Sequence, residues 1–150
     1  MAGRERVEQD AILSALPGLA GKSVLVVGCG DGHYPRLFRL AGASRVMGVD
    51  SSQELIAIAQ RAEERDPLGI SYEIHETARL PRMGVYDFVT VTWPTGSPDT
   101  DSIVTHLSPN LKSGARLVIL SPPPEIESVF TRAGYRSVQS DQDFLVLLKD

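Results

Sequence analysis

A glycine-rich turn, followed about 20 residues later by an aspartate, is the pattern in this 150-residue sequence that suggests a binding chemistry. Gly28, Gly30 and Gly32 alternate directly after the apolar run at 23–27. Because glycine has no side chain, such a turn lets the backbone come close to a nucleoside-like ligand. Asp50 ends the next apolar run, where folds of this kind hold an acid for ribose hydroxyls. The pattern predicts a nucleoside-binding α/β protein.

A strand and a helix must hold this turn in place. Residues 24–27 are apolar and mostly β-branched, which predicts a strand buried on both faces in the middle of a parallel sheet. Pro35 can open the helix that follows, because its missing N–H would be unpaired there. Ser51 and Glu54 are three residues apart and predict a capping box for the helix after Asp50.

The rest of the chain alternates predicted helices and strands. The first helix is expected from about Arg4 to Leu16, with inward side chains at Val7, Ala11, Ile12 and Ala15. Leu55, Ile56, Ile58, Ala59 and Ala62 are expected on one inward face of the helix after Ser51. Further strands are predicted at 45–49, 72–75, 86–92 and 116–120, and a closing antiparallel hairpin at 135–138 and 144–148. This order predicts a mostly parallel sheet with helices on both faces.

Composition and charge narrow the class of protein. The length predicts a single domain, and 42% hydrophobic and 23% charged residues are typical of soluble globular proteins. A net charge of −4 lacks the basic excess expected of a nucleic-acid-binding protein. Cys29 is the single cysteine, which suits a reducing compartment, and the sequence has neither a signal peptide nor a run long enough to span a membrane. We therefore expect a cytoplasmic protein with no nucleic-acid or membrane partner.

The position of the third glycine distinguishes two kinds of nucleotide site. A dinucleotide-binding turn has a glycine where this chain has His33, so the pattern here is Gly-x-Gly-x-Gly. Residues 24–32 and 46–52 resemble the first two motifs of class I S-adenosylmethionine-dependent methyltransferases. The similarity extends over about residues 20–120, through the segments 63–72, 76–81, 86–91 and 111–118. It is greatest to bacterial small-molecule methyltransferases of natural-product pathways.

This resemblance implies a fold and a cofactor. The fold would be Rossmann-like and doubly wound, with a mostly parallel seven-stranded sheet and a C-terminal antiparallel hairpin. The cofactor would be S-adenosyl-L-methionine, with S-adenosyl-L-homocysteine as the product, and no metal is expected. The domain would comprise an N-terminal helix at 1–18, a cofactor-binding core at 23–120, and a C-terminal helix and hairpin at 125–150.

The resemblance also implies roles for individual residues. The three glycines, with Cys29 inside the turn, would pass beneath the methionine and the ribose. Asp50 would accept hydrogen bonds from both ribose hydroxyls, and Ser51 would lie under the adenine. Glu76, in place of the usual aspartate, would accept from the adenine amino group, beside the backbone of Thr77. Residues bordering the methionine and the methyl group would be Tyr34, Thr92 and Trp93.

The substrate half of such an enzyme is weakly marked. Relatives carry an insertion between the fifth strand and the last long helix, whereas here Ser121 and three prolines join Leu120 to Glu125. The exit of the fourth strand, 92–96, lacks the Asn/Asp-Pro-Pro-Tyr signature of nitrogen methyltransferases, and no catalytic residue can be assigned. An uncovered pocket would expose apolar surface, so we expect a homodimer or a partner protein to complete it.

Three functions stay open on the sequence alone. The first is methyl transfer from S-adenosylmethionine to a small-molecule metabolite. The second is a non-catalytic or accessory module that binds the cofactor or a partner protein. The third is a different use of the fold, such as a NAD-dependent enzyme, which the residue at position 33 disfavours.

Overall fold

The computed structural model describes residues 2–96 and 99–150, with side chains from residue 7 onward. Met1, Ser97 and Pro98 of the predicted domain lie outside the described residues. Within them, the helices are α1 (Ala2–Ser14), α2 (His33–Leu40), α3 (Gln53–Arg65), α4 (Thr100–Leu107) and α5 (Ile126–Arg132). The strands are β1 (Ser23–Val27), β2 (Arg45–Asp50), β3 (Ser71–Ile74), β4 (Tyr86–Thr92), β5 (Leu111–Leu120), β6 (Tyr135–Ser140) and β7 (Phe144–Lys149).

The strands form one seven-stranded sheet in the order β3-β2-β1-β4-β5-β7-β6. The five strands from β3 to β5 are parallel, and β7 runs antiparallel to both β5 and β6. The predicted mostly parallel sheet with a C-terminal antiparallel hairpin is therefore confirmed. The strand order reverses between β1 and β4, and ligands of open α/β sheets bind at the carboxyl ends of the strands at such a point.

The sheet separates two apolar layers, as the alternation of β1 requires. Val24 and Val26 face a layer that includes Ile12 of α1, Phe38 of α2 and Ile56 of α3. Leu25 and Val27 face the opposite layer, to which α4 and α5 contribute Ile103, Leu107, Ile126 and Phe130. The four apolar side chains of β1 are buried because helices cover both faces of the sheet.

Two local predictions differ from the structure. The N-cap of α3 is Ser52, whose hydroxyl accepts from the Leu55 N–H at 3.2 Å, so the predicted capping box of Ser51 and Glu54 is wrong. The helix begins one residue later because the Asp50 carboxylate already accepts from the Ser52 N–H. On the same helix Leu55 and Ile58 are 37% and 43% exposed, since only Ile56 and Ala59 reach the buried layer.

The first helix differs from its prediction at one position. Val7, expected to face inward, is 68% exposed, whereas Ile12 and Ala15 are buried as expected. The link from β5 to α5 comprises only residues 121–125, in agreement with the absence of an insertion in the sequence. None of the helices within 2–96 and 99–150 is long and apolar enough to cross a bilayer.

Candidate functional site

A hollow of about 320 Å³ lies at the carboxyl edge of the sheet, where β1, β2 and β4 end. Its lining includes six of the predicted site residues: Gly28, Asp50, Ser51, Thr77, Thr92 and Trp93. Pro94 and Thr95 complete the lining and were missed by the sequence reasoning. Their position directly after β4 was the available signal, because the ends of neighbouring parallel strands meet at one edge. We call this space the glycine-turn hollow.

Asp50 connects the end of β2 to the glycine turn. Its Oδ2 accepts a hydrogen bond from the Gly30 N–H at 2.9 Å, and its Oδ1 accepts from the Ser52 N–H at 2.9 Å. Each carboxylate oxygen can accept a second bond, and the side chain is only partly buried. Asp50 thus fixes the turn and still presents acceptor capacity to the hollow.

The backbone of the turn has the conformation that glycine permits. Gly28 and Gly30 have φ angles of 77° and 57°, which side chains rarely adopt. The N–H groups of Gly28 and Cys29 both donate to the Val49 carbonyl, at 2.8 and 3.0 Å. A Cβ on Gly30 would meet no atom within 4 Å, whereas one on Gly28 would lie 3.2 Å from the Thr92 carbonyl oxygen. Gly30 therefore borders open space, and Gly28 allows the turn to approach β4.

Gly32 is required for a different reason, which the sequence did not indicate. A Cβ on Gly32 would lie 2.7 Å from the Tyr72 hydroxyl oxygen and 3.1 Å from the Ala59 Cβ, both inside the protein. A Cβ on Gly48 would similarly lie 2.8 Å from two ring atoms of Tyr72. The Tyr72 ring thus packs beneath the turn, and two glycines make room for it.

The polar groups beneath the turn are shielded from solvent. Burial, helped by the charge of Asp50, raises the pKa of the Cys29 thiol to about 12. Burial also raises the pKa of the Tyr72 hydroxyl to about 12. That hydroxyl has no hydrogen-bond partner within the part of the chain that the structure describes. Cys29 is buried beneath the turn and is not part of the lining of the hollow, which agrees with a packing role.

Five predicted site residues lie outside the lining of the glycine-turn hollow: Cys29, Gly30, Gly32, Tyr34 and Glu76. The Glu76 side chain is 65% exposed, with its Oε2 3.6 Å from the Arg79 Nε, while its neighbour Thr77 lines the hollow. Tyr34 lines a separate cavity beside α1. The predicted contacts of Glu76 with adenine and of Tyr34 with the methyl group remain predictions.

Two other hollows contain none of the predicted cofactor residues. One of about 360 Å³ lies between Pro122–Pro124 and the β6–β7 turn. Another of about 320 Å³ lies at the amino edge of the sheet, around Asp87 and Lys112. Among the side chains described for residues 7–96 and 99–150, no three histidines, cysteines, aspartates or glutamates are grouped so that they could hold a metal ion.

Comparison with known proteins identifies the family. A family model described as a methyltransferase domain matches residues 24–114, which is more than half of the chain. The chain therefore belongs to the methyltransferase domain family. The matched segment begins in β1 and ends in β5, so it includes the glycine turn, Asp50 and the whole lining of the glycine-turn hollow.

Individual relatives are similar over part of their length. A ubiquinone biosynthesis O-methyltransferase of Coxiella burnetii is 32% identical over 101 residues, which span 66% of this chain and 43% of that protein. A malonyl-[acyl-carrier protein] O-methyltransferase of Pectobacterium atrosepticum is 36% identical over 62 residues, 41% of this chain and 24% of that protein. The chain thus spans less than half of the length of these two relatives, and the acceptors in their names are those of the relatives.

A solved structure supports the architecture. Magnesium protoporphyrin IX methyltransferase from Synechocystis PCC 6803, solved with bound SAM, superposes with a TM-score of 0.75. The match covers 97% of this chain and 80% of that one, at 20% sequence identity. At this identity the similarity establishes the Rossmann-like methyltransferase fold.

Proposed function

We propose that this domain binds S-adenosyl-L-methionine in the glycine-turn hollow and transfers its methyl group to a small-molecule acceptor. The observation that carries the proposal is the geometry of Asp50. Its two oxygens fix the turn through the Gly30 and Ser52 N–H groups and keep acceptor positions for a pair of ribose hydroxyls. A fold of this class with an acid at this point suits a ribose.

The residues around the hollow fit a sulfur nucleoside. Gly30 leaves open space where a side chain would project, so a ligand can lie against the backbone there. Ser51 and Thr77 line the β2 side of the hollow, where the adenine would lie, and Thr92 and Trp93 line the β4 side. The hollow thus has hydroxyl-bearing residues on both sides and a large aromatic ring on the β4 side.

Methyl transfer requires mainly that the acceptor atom and the methyl group are aligned and that the site is shielded from water. When bound, S-adenosylmethionine supplies a methyl group on a sulfonium sulfur, and its transfer to an acceptor atom breaks the carbon–sulfur bond and leaves the electron pair on sulfur. Two contacts hold Trp93 in place: its backbone N–H donates to the Leu120 carbonyl at 3.1 Å, and its ring packs edge-on against Phe130. Trp93 and Thr92 then form a fixed wall on which the reacting groups are aligned.

The acceptor would bind beside α1. A cavity of about 230 Å³, which we call the Tyr34 cavity, is lined by Val7, Glu8, Ala11, Tyr34, Leu120, Ser121, Asp143 and Phe144. Leu120 is paired with Thr92 across β5 and β4, so this cavity adjoins the glycine-turn hollow along the carboxyl edge. Because α1 lines this cavity through Val7, Glu8 and Ala11, it would cover a bound acceptor, which supports turnover by this domain.

Methyl transfer is tested by incubating the protein with S-adenosylmethionine labelled in the methyl group and a panel of small-molecule acceptors. The proposal predicts label in at least one acceptor and, at a concentration of S-adenosylmethionine below saturation, slower labelling by a variant that carries Asp50→Asn. Calorimetry with S-adenosylhomocysteine separates the alternatives. Binding without transfer to any acceptor would favour the accessory-module function, and binding of NAD in place of either sulfur nucleoside would contradict the proposal.

Further features of the protein remain proposals from the sequence. We propose a place among bacterial natural-product enzymes and a cytoplasmic location. We also propose a homodimer or a partner protein that completes the open pocket. Sedimentation velocity would test the homodimer, and a single monomeric species at high protein concentration would contradict it.

A further inference from the structure

The Tyr34 cavity is assembled from four separate parts of the chain. Helix α1 contributes Val7, Glu8 and Ala11; the start of α2 contributes Tyr34; the exit of β5 contributes Leu120 and Ser121; and the start of β7 contributes Asp143 and Phe144. Two hydrogen bonds hold these parts together. The Ser121 N–H donates to the Asp143 carbonyl at 3.0 Å, and the Gln9 side-chain amide lies 2.9 Å from His33 Nε2.

The backbone at the exit of β5 has an unusual conformation. Ser121 has a φ of 54°. Among the residues that the structure describes, it is the only one other than glycine with a positive φ. Such conformations cost free energy and are concentrated at ligand sites. This one turns the chain out of β5 so that the Ser121 side chain borders the cavity next to Phe144. The strain thus falls at the position that shapes the cavity.

The lining combines apolar surface with acids. Val7, Ala11, Leu120 and the two aromatic rings of Tyr34 and Phe144 provide the apolar part. Glu8 on α1 and Asp143 in the β6–β7 turn add two exposed acidic residues to the lining. A neighbouring hollow of about 300 Å³ shares Glu8 and Tyr34 and adds Asp31 and His33. Among the described residues that line either space, none is a lysine or an arginine.

This lining discriminates between ligands by charge. An anionic ligand would meet like charges from Glu8 and Asp143 and would find no lysine or arginine among the described lining residues. An ammonium group would gain from the carboxylates and also from the faces of the two aromatic rings. The pKa of the Tyr34 hydroxyl is raised, mainly by burial and to a smaller extent by the charge of Glu8.

We infer that the Tyr34 cavity takes an acceptor with a small apolar or aromatic body and a protonated amine, which Glu8 and Asp143 recognise. This inference rests on the proposed function, because it takes the cavity to be the acceptor site. A protonated amine has no free lone pair, so the inference concerns recognition and leaves open which other atom is methylated.

Three probes with one aromatic body test the charge preference: phenethylamine, phenethyl alcohol and phenylacetate. Each is titrated into the nitrogen-15-labelled protein saturated with S-adenosylhomocysteine, and the amide shifts of Tyr34, Ser121, Asp143 and Phe144 are followed. We expect phenethylamine to bind about fivefold more tightly than phenethyl alcohol, and phenylacetate to bind most weakly. The preference should decrease as salt is added, because exposed charges are screened.

Two variants and a control assign the preference to these acids. Glu8→Gln and Asp143→Asn should each reduce the ratio of amine to alcohol affinity by about twofold to threefold and leave alcohol binding unchanged. Glu64→Gln, an exposed acid on α3, should leave the ratio unchanged.

The inference is overturned if phenylacetate binds as tightly as phenethylamine, if the amine preference survives in the Glu8→Gln/Asp143→Asn double variant, or if phenethylamine shifts none of these amides at millimolar concentration. Binding of S-adenosylhomocysteine is measured separately by calorimetry. Amine selectivity without binding of that nucleoside would contradict the proposed function while the charge preference of the cavity stood.

Discussion

The two edges of the sheet carry hollows of equal volume, about 320 Å³ each, and each hollow contains an aspartate that binds backbone N–H groups. At the carboxyl edge Asp50 accepts from Gly30 and Ser52. At the amino edge Asp87 accepts from both the N–H and the hydroxyl of Ser23, at 2.9 and 3.0 Å, and from the Lys112 Nζ at 3.0 Å. Volume therefore does not distinguish the two edges.

The difference lies in how far the protein itself satisfies each carboxylate. Asp87 pairs with a cation and takes two bonds on one oxygen, so it ties β1 and β5 to β4. Asp50 takes one backbone bond on each oxygen and is in no salt bridge with the side chains described for residues 7–96 and 99–150. An acid at a strand end is a candidate for ligand binding when two conditions hold. Its carboxylate can still accept hydrogen bonds from the direction of open space, and it lies beside glycines with positive φ angles. Asp50 meets both conditions.

The largest expected effect comes from the glycine turn, which distinguishes the carboxyl edge. Gly32→Ala should lower the free energy of unfolding by about 3 kcal/mol, because the new Cβ has an unfavourable φ and collides with Tyr72. Gly114→Ala at the amino edge is the matched control: its φ is +79° but nothing lies within 4 Å, so about 1 kcal/mol is expected. Urea denaturation measures both. Equal losses in the two variants would contradict the packing role of Gly32.

Replacing each of the two aspartates by asparagine, in separate variants, tests the difference between the two edges. Asp50→Asn should raise the Kd for S-adenosylhomocysteine at least about tenfold, because a charge-assisted bond to a ribose hydroxyl is worth about 1.5 kcal/mol or more. The asparagine keeps one acceptor oxygen, but its amide nitrogen then faces the second backbone N–H donor, so the free energy of unfolding should also fall by about 1 kcal/mol. Asp87→Asn should leave the Kd within about twofold, the scatter expected of a distant site. Calorimetry on both variants checks this, and equal weakening by the two substitutions would refute the assignment.

Tyr72 is expected to give a smaller effect in the opposite direction. Tyr72→Phe should raise the free energy of unfolding by about 1 kcal/mol, because it removes a buried hydroxyl without a partner among the described residues. It also removes the oxygen 2.7 Å from the Cβ position of Gly32, so Gly32→Ala should cost less in the Tyr72→Phe background. Thermal and urea melts of the four proteins measure this coupling. Additive losses would show that Gly32 is not limited by Tyr72.

The smallest expected effect concerns acid stability at the amino edge. Burial alone would raise the pKa of Asp87, but the hydrogen bonds from Ser23 and Lys112 outweigh it and lower the pKa below 3.8. A lowered pKa in the folded state contributes stability above the unfolded pKa, and this stability is lost as the pH falls through the folded pKa. Asp87→Asn should therefore lose less stability than the parent between about pH 5 and about pH 3, by at most about 0.5 kcal/mol for a partly exposed pair. Parallel acid limbs in urea melts would contradict the pairing.

The features predicted correctly from the sequence are those set by local patterns. The strand, turn and acid of the cofactor half are local patterns, so 23–27, the glycines and Asp50 could be read directly from the sequence. The cap of α3 was misplaced because the prediction weighed only the Ser51–Glu54 spacing and not the bond from the Ser52 N–H to Asp50.

The Tyr34 cavity could not be predicted in full, because four distant parts of the chain form it. Nothing local in the sequence indicated that Ser121 and Asp143 would meet through a hydrogen bond. The packing of Tyr72 against Gly32 and Gly48 was hidden for the same reason, since it depends on the register of β3 beside β2.

The central claim is that the glycine-turn hollow, and not the hollow of equal volume at the amino edge, binds the cofactor. A titration of the nitrogen-15-labelled protein with S-adenosylhomocysteine tests it most directly. We expect the largest amide shifts at Gly28, Gly30, Asp50, Ser51 and Thr77, and we expect the amides of Lys112 and Gly114 to be unchanged. Shifts centred on 112–116, or no shifts at millimolar ligand, would contradict it.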